Sequence, residues 1–164
     1  MKGVVIAIIS ILVVIAIAIA VYYQPSMPKV LSAAASDSVL NARFSTVNIT
    51  EHNGNSSAVW SAYLAVTTAQ LEEGYMNVST IGNCNNMGSC IGMLFLFQNQ
   101  SSQCFWMENT AIPLRQTWLN RSGYPTYTYV GAPYSTQAIC SYGKYVIETA
   151  PNVSINGYIT LNSS

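Results

Sequence analysis

From Gly3 to Val21 the chain carries no charged side chain and one polar one, Ser10. As a helix, such a run spans about 28 Å, close to the hydrocarbon thickness of a bilayer. Lys2 precedes it, and Tyr22 and Tyr23 follow it. Lysine favours the cytoplasmic side and aromatic rings favour the interface. The run therefore predicts a single-pass anchor in the cell membrane, with its N-terminus in the cytoplasm and the rest of the chain outside. A cleaved signal peptide competes, because Ala18-Ile19-Ala20 resembles a cleavage site; signal cores are shorter, about 7–15 residues. A pilin-type leader also competes, because Lys2-Gly3 directly precedes the run, but Pro25 and Pro28 would stop the long helix a pilin continues. The expected organisation is an anchor over residues 1–23, touching membrane lipid through residues 3–21, a stalk over 24–36 and an extracytoplasmic domain over 37–164.

Charged residues make up 7% of the chain, against about 25% in an ordinary globular protein. Six Lys/Arg balance six Asp/Glu. A neutral chain lacks the basic footprint that phosphate backbones demand, which excludes nucleic acid as a partner. The polar surface must come from Ser, Thr, Asn, Gln and Tyr, a composition suited to an exterior layer. Asn-x-Ser/Thr sequons at Asn48, Asn55, Asn77, Asn99, Asn120, Asn152 and Asn162 are glycosylation candidates on an exported domain, although Asn and Ser also serve as turn residues. Four cysteines, Cys84, Cys90, Cys104 and Cys140, read as two disulfides in that setting. A zinc site would need paired C-x-x-C spacing or more histidine than the single His52. Cys84 and Cys90 bracket the turn-like Asn85–Ser89, which favours Cys84–Cys90 with Cys104–Cys140 among the three pairings. Loop-closure entropy gives these roughly 2 and 4 kcal/mol.

Phe44–Thr50 alternates apolar and polar residues, Asn53-Gly54 makes a turn, and Val59–Thr67 is strand-like again: a hairpin. Thr67-Thr68-Ala69-Gln70 resembles a capping box opening a short helix to about Met76. Ile91–Phe97 is apolar on both alternating faces, as a strand buried on both sides requires. Further strands are expected at Gln103–Glu108, Ile112–Leu119, Tyr124–Val130, Lys144–Glu148 and Gly157–Leu161. Trp106 and Cys104 share a strand face if the strand is regular, and Phe105, Trp106, Met107 and Met93 are expected core residues. The fold class is mainly β: a compact antiparallel β-sandwich or barrel-like domain with one short helix, preceded by a transmembrane helix.

Gly92-Met93-Leu94-Phe95-Leu96-Phe97, followed by Phe105-Trp106-Met107-Glu108-Asn109-Thr110-Ala111-Ile112-Pro113-Leu114, resembles the domain of unknown function 192, an uncharacterised conserved family. Gly74-Tyr75-Met76 and Tyr145-Val146-Ile147-Glu148 take the first and last places of its pattern, so the likeness covers roughly residues 62–161. The resemblance implies a compact antiparallel β domain related to jelly-roll and sandwich folds, often exported or membrane-tethered. It carries over no catalytic residue. Where the family has a basic residue and an Asp, this chain has Glu108 and Arg115. The joint reversal predicts that the two side chains face each other across the turn at Asn109–Pro113.

The candidate ligand or turn site is therefore Asn109 and Thr110, with Glu108 and Arg115. His52 and Glu51 read as solvated residues at a hairpin tip rather than an acid/base couple. Tyr124, Tyr127, Tyr129, Tyr134, Tyr142 and Tyr145 cluster in the C-terminal third, either as strand formers or as flat faces for a sugar or protein. No catalytic, metal or cofactor residue stands out. The leading expectation is a non-enzymatic binding or structural domain at the envelope, with a glycan or protein partner. The alternatives are a small enzyme or processing accessory acting on glycans or peptides, and a filament or pilus-type subunit.

Overall fold

Short β-prone stretches cut by turn residues dominate the chain from Phe44 onward, and in the computed structural model, which describes residues 31–162, they join one sheet. The expected membrane helix lies outside the described residues; among those described, no helix is long and apolar enough to cross a membrane. The elements are α1 (Ala33–Arg43), β1 (Ser45–Asn53), β2 (Ser56–Ala65), α2 (Thr68–Glu73), a 3-10 turn at Cys84–Asn86, β3 (Cys90–Phe105), β4 (Leu114–Leu119), β5 (Pro125–Gly131), β6 (Ile139–Thr149) and β7 (Tyr158–Leu161). The strands pair in the order β5-β4-β6-β3-β2-β1-β7.

Of the expected antiparallel sandwich or barrel-like domain, the mainly β class and the barrel-like form hold, as a single curled sheet, a half-barrel; the two-sheet sandwich and the all-antiparallel pairing are corrected. β2 and β3 run parallel, joined by a crossover that carries α2; the other pairings are antiparallel. Register breaks bend the long β3. Between Leu96 and Ser101 its chain bulges against β6, and a further shift lies between Ser61 and Ala62 of β2. Bulges add an unpaired residue and deepen the local twist. The curl brings β7 to the β4–β5 turn, where the Ile159 N–H donates to the Gly123 carbonyl at 3.0 Å and the Tyr124 and Tyr158 rings lie 5.0 Å apart.

Alternation along the strands fills both faces of the sheet. Ile49, Ala62, Leu94, Leu119, Ile147 and Ile159 cluster on one face. Tyr63, Met93, Phe95, Leu114, Trp118 and Val146 cluster on the other, covered by Leu40 and Phe44 at the α1 end. The expected stalk is corrected at its C-terminal end: Ala33–Ala35 begin α1, because Ser32 caps the Ala35 amide and the alanines favour helix. Ser36 and Leu40 of α1 are buried. The Tyr63 hydroxyl ties this helix to the sheet, donating to Asn41 Oδ1 at 2.7 Å and accepting from the Asn83 and Cys84 amides. The capping box forms as expected, with Thr67 and Gln70 bonding each other's backbone amides.

Both expected disulfides are present, Cys84–Cys90 and Cys104–Cys140; the second joins directly opposed residues of β3 and β6. Trp106 is corrected: it is 48% exposed, whereas Phe105, Met107 and Met93 are buried. Trp106 follows Phe105 on the opposite parity and so points out with Cys104. The buried indole is Trp118, whose N–H donates to the Gln103 carbonyl at 2.9 Å.

Candidate functional site

Val146 and Glu148 share the face of β6 that packs on the larger cluster, so the carboxylate occupies a position where an apolar residue would ordinarily sit. Glu148 is 4% exposed. Its register neighbours are Met93 on β3 and Gln116 on β4. Gln116 is itself buried, and its Nε2 donates to Glu148 Oε1 at 2.9 Å and approaches Met107 Sδ at 3.6 Å. No hydrogen bond reaches Glu148 Oε2 among the described residues. It looks toward Gly74, where an added Cβ would lie 3.9 Å from it and 3.2 Å from Phe95 Cζ. Gly74 ends α2 at φ +47°, a conformation glycine adopts without strain.

Above Glu148 opens a groove of about 220 Å³. Phe95, Phe97, Phe105 and Trp106 supply aromatic walls, and Glu72 and Glu73 lie along it. Arg43 closes on Glu73 in an ion pair. Burial pushes the Glu148 carboxyl up to about 7, with the Gln116 hydrogen bond pulling the other way. Burial, then the nearby Glu148 charge, drives the Tyr75 phenol well above its ordinary value; its hydroxyl donates to the Ile81 carbonyl at 3.1 Å. A buried, perturbed carboxyl at the floor of a groove is the usual physical mark of a functional site. Near neutrality it can donate or accept one hydrogen bond, or ionise against a cation.

Of the expected site residues, Thr110 alone lines this groove. It is buried, and its carbonyl accepts from the Tyr134 amide at 3.0 Å. Asn109 adopts φ +54° and accepts from the Asn77 amide through its carbonyl at 2.8 Å, so it shapes the turn through its backbone. The expected Glu108–Arg115 pairing is not formed. Arg115 alternates away from Leu114 and Gln116, and its Nε and Nη2 donate to the Pro151 carbonyl at 3.0 and 2.7 Å. Glu51 and His52 are not simply solvated: Glu51 Oε1 accepts from the Asn156 amide at 2.8 Å, and His52 bonds Ser57 and Thr160 while stacking on Tyr158. Tyr124, Tyr127, Tyr134 and Tyr142 are exposed, while Tyr129 and Tyr145 are half-buried. Six sequon asparagines are exposed; Asn120 is half-buried and caps its turn, accepting from the Ser122 and Tyr124 amides. Glu148 was the residue missed as a site. Its signal was a lone carboxylate at a core-parity position of the strand Tyr145-Val146-Ile147-Glu148.

The family described as DUF192, Uncharacterized ACR, matches residues 48–158. A proposed transcription regulator from Sinorhizobium meliloti is similar in structure at 21% identity, with a TM-score of 0.61 over 72% of this chain and 95% of that one. A protein of unknown function from Novosphingobium aromaticivorans is similar at 22% identity, with a TM-score of 0.60 over 72% of this chain and 85% of that one. No curated protein matches.

Proposed function

This chain belongs to the DUF192 family, and from that premise we propose that it is a membrane-tethered extracytoplasmic domain that binds a ligand in the groove over Glu148 without converting it. One observation carries the reading: a carboxylate on a buried side chain, Glu148, whose Oε2 has no protein partner among the described residues and opens on an aromatic-walled groove. A ligand that fills the groove and displaces water must give that oxygen a partner, and one that does gains a hydrogen bond in a partly desolvated site. The apolar run over residues 3–21, the paired cysteines and the exposed sequons support the tether and the exported side.

A diverse fragment screen on the labelled full-length chain tests the groove. Hits should move the Gly74 amide and the Trp106 indole; hits confined to the exposed tyrosines would refute it. Carbonate extraction of native membranes tests the tether, with the domain expected in the pellet and accessible to protease from outside.

A second reading, a small enzyme acting on glycans or peptides, draws on the same carboxyl, because a group held at about 7 is well matched to general-acid work. Turnover of such a substrate, lost in Glu148→Gln, would decide for it.

A further inference from the structure

We propose that the groove over Glu148 takes an alkylammonium group, an amine on an aliphatic stem carried by a small molecule or by a lysine side chain. The inference rests on the groove being the binding site. Its acidic lining residues are Glu72, Glu73 and Glu148, and among the described residues no Lys, Arg or His lines it. Arg43 meets Glu73 and leaves Glu72 and Glu148 without a cation among the described residues. An anionic ligand would enter a field of its own sign.

The walls point the same way. Phe95, Phe97, Phe105 and Trp106 offer apolar surface to a stem and π density to a cation. Glu148 Oε2 is the open acceptor at the floor, on a side chain otherwise buried, and Gln116 already occupies Oε1. A neutral alkyl group would leave Oε2 unpaired; an ammonium places a donor and a positive charge on it. The missing side chain at Gly74 keeps that approach open, since a Cβ there would press on Phe95.

A pH signature follows. The groups around Glu148 are Gln116 from β4, apolar Met93 and Phe95 from β3, Tyr75 after α2, and Glu72 and Glu73 from α2 with Arg43 on Glu73. Gln116 does not titrate, and Tyr75 stays neutral because its phenol is raised. Glu148 must lose its proton to pair with an ammonium, so affinity rises with pH through about 7.

The test is a titration of the full-length chain with butylammonium and, in parallel, with neutral butanol, read on the Gly74 amide and the Trp106 indole. Butylammonium should bind about tenfold more tightly at pH 8 than at pH 6, and at least tenfold more tightly than butanol at pH 8. Glu148→Gln keeps an acceptor for Gln116 and so remains folded, but loses the pH dependence and most of the affinity. Trp106→Ala, at an exposed position, weakens binding at unchanged melting temperature. A peptide with one lysine, compared with the same peptide acetylated there, identifies the source: tighter binding than butylammonium, lost on acetylation, assigns a side chain, and otherwise a free amine. Butanol binding as well as butylammonium, independently of pH, overturns the ammonium assignment and leaves the groove a binding site. No response to butylammonium at either pH also overturns it, and the fragment screen then judges the groove by itself.

Discussion

At the residue scale the molecule's clearest tension is Glu148. Its carboxyl is raised from 4.5 in the unfolded chain to about 7 when folded. The folded state therefore holds a proton that the unfolded state has released between those values. No penalty exists below pH 4.5; it accumulates as pH rises from 4.5 to 7 and is complete above 7, at about 3 kcal/mol from roughly 1.4 per unit. Glu148→Gln removes that ionisation. It should match the parent in urea unfolding at pH 4.5 and exceed it by about 3 kcal/mol at pH 8; equal stability at pH 8 would show that the carboxyl is not desolvated as described. Arg115 gives the opposite lesson. Its guanidinium bonds the Pro151 carbonyl twice, so Arg115→Ala should cost about 1–2 kcal/mol. In a double-mutant cycle with Glu108→Ala the two effects should add, since no contact joins them; a coupling above about 0.5 kcal/mol would restore the pairing expected from sequence. Both residues show why the site was only half legible. Thr110 and the turn around Asn109 stand out as a motif, whereas a single glutamate in Tyr145-Val146-Ile147-Glu148 acquires meaning only when β4 sets Gln116 beside it.

At the element scale, local patterns carried most of the information. The capping box of α2, the β1–β2 hairpin, β4, β5 and β7 follow from alternation, turn residues and cap chemistry that act within a few residues; the strands expected separately at Ile91–Phe97 and Gln103–Glu108 run together as β3, which ends at Phe105, and β6 begins at Ile139, ahead of the expected Lys144. Parity decided the places that went otherwise. Trp106 follows a buried Phe105 and must point outward, and nothing within its segment says which parity faces the core. The disulfides belong to this scale because each fastens a different pair of elements. Cys84 is buried and secures the loop beneath Tyr63, whereas Cys104 and Cys140 lie exposed across the β3–β6 ladder. Thiol attack needs access. Under mild reductant, timed alkylation should therefore find Cys104 and Cys140 free well before Cys84 and Cys90. Replacing Cys104 and Cys140 by serine should cost about 4 kcal/mol in unfolding, and replacing Cys84 and Cys90 about 2 before any cavity term. Simultaneous labelling of all four would show that the buried pair opens with the exposed one.

At the scale of the whole molecule, curvature is what turns a sheet into a site, and curvature was the part the sequence concealed. Alternation fixes which residues face which side of a strand but not whether the strands form two stacked sheets or one bent one. That choice was made by bulges and by glycines at close backbone approaches. Gly92 lies at φ +149°, and a Cβ there would stand 1.8 Å from the Glu148 carbonyl oxygen. This approach holds β3 against β6 at the level of Glu148, so it shapes the floor of the groove as well as the bend. At the other side of the curl, a Cβ on Gly123, at φ +81°, would stand 2.1 Å from the Ile159 carbonyl oxygen. The two contacts act on different parts of the same sheet. Gly92→Ala should force β3 and β6 apart along the central ladder and cost several kcal/mol, enough to lose cooperative unfolding. Gly123→Ala should open only the junction with β7, a four-residue edge strand paired to β1. Its cost should be smaller, about 1–3 kcal/mol, with hydrogen exchange accelerated at Ile159 and its neighbours but not at Ile147. Uniform acceleration across β6 and β7 in Gly123→Ala would mean that the curl closes as one unit, and the groove would then depend on the β7 contact as much as on the Gly92 approach.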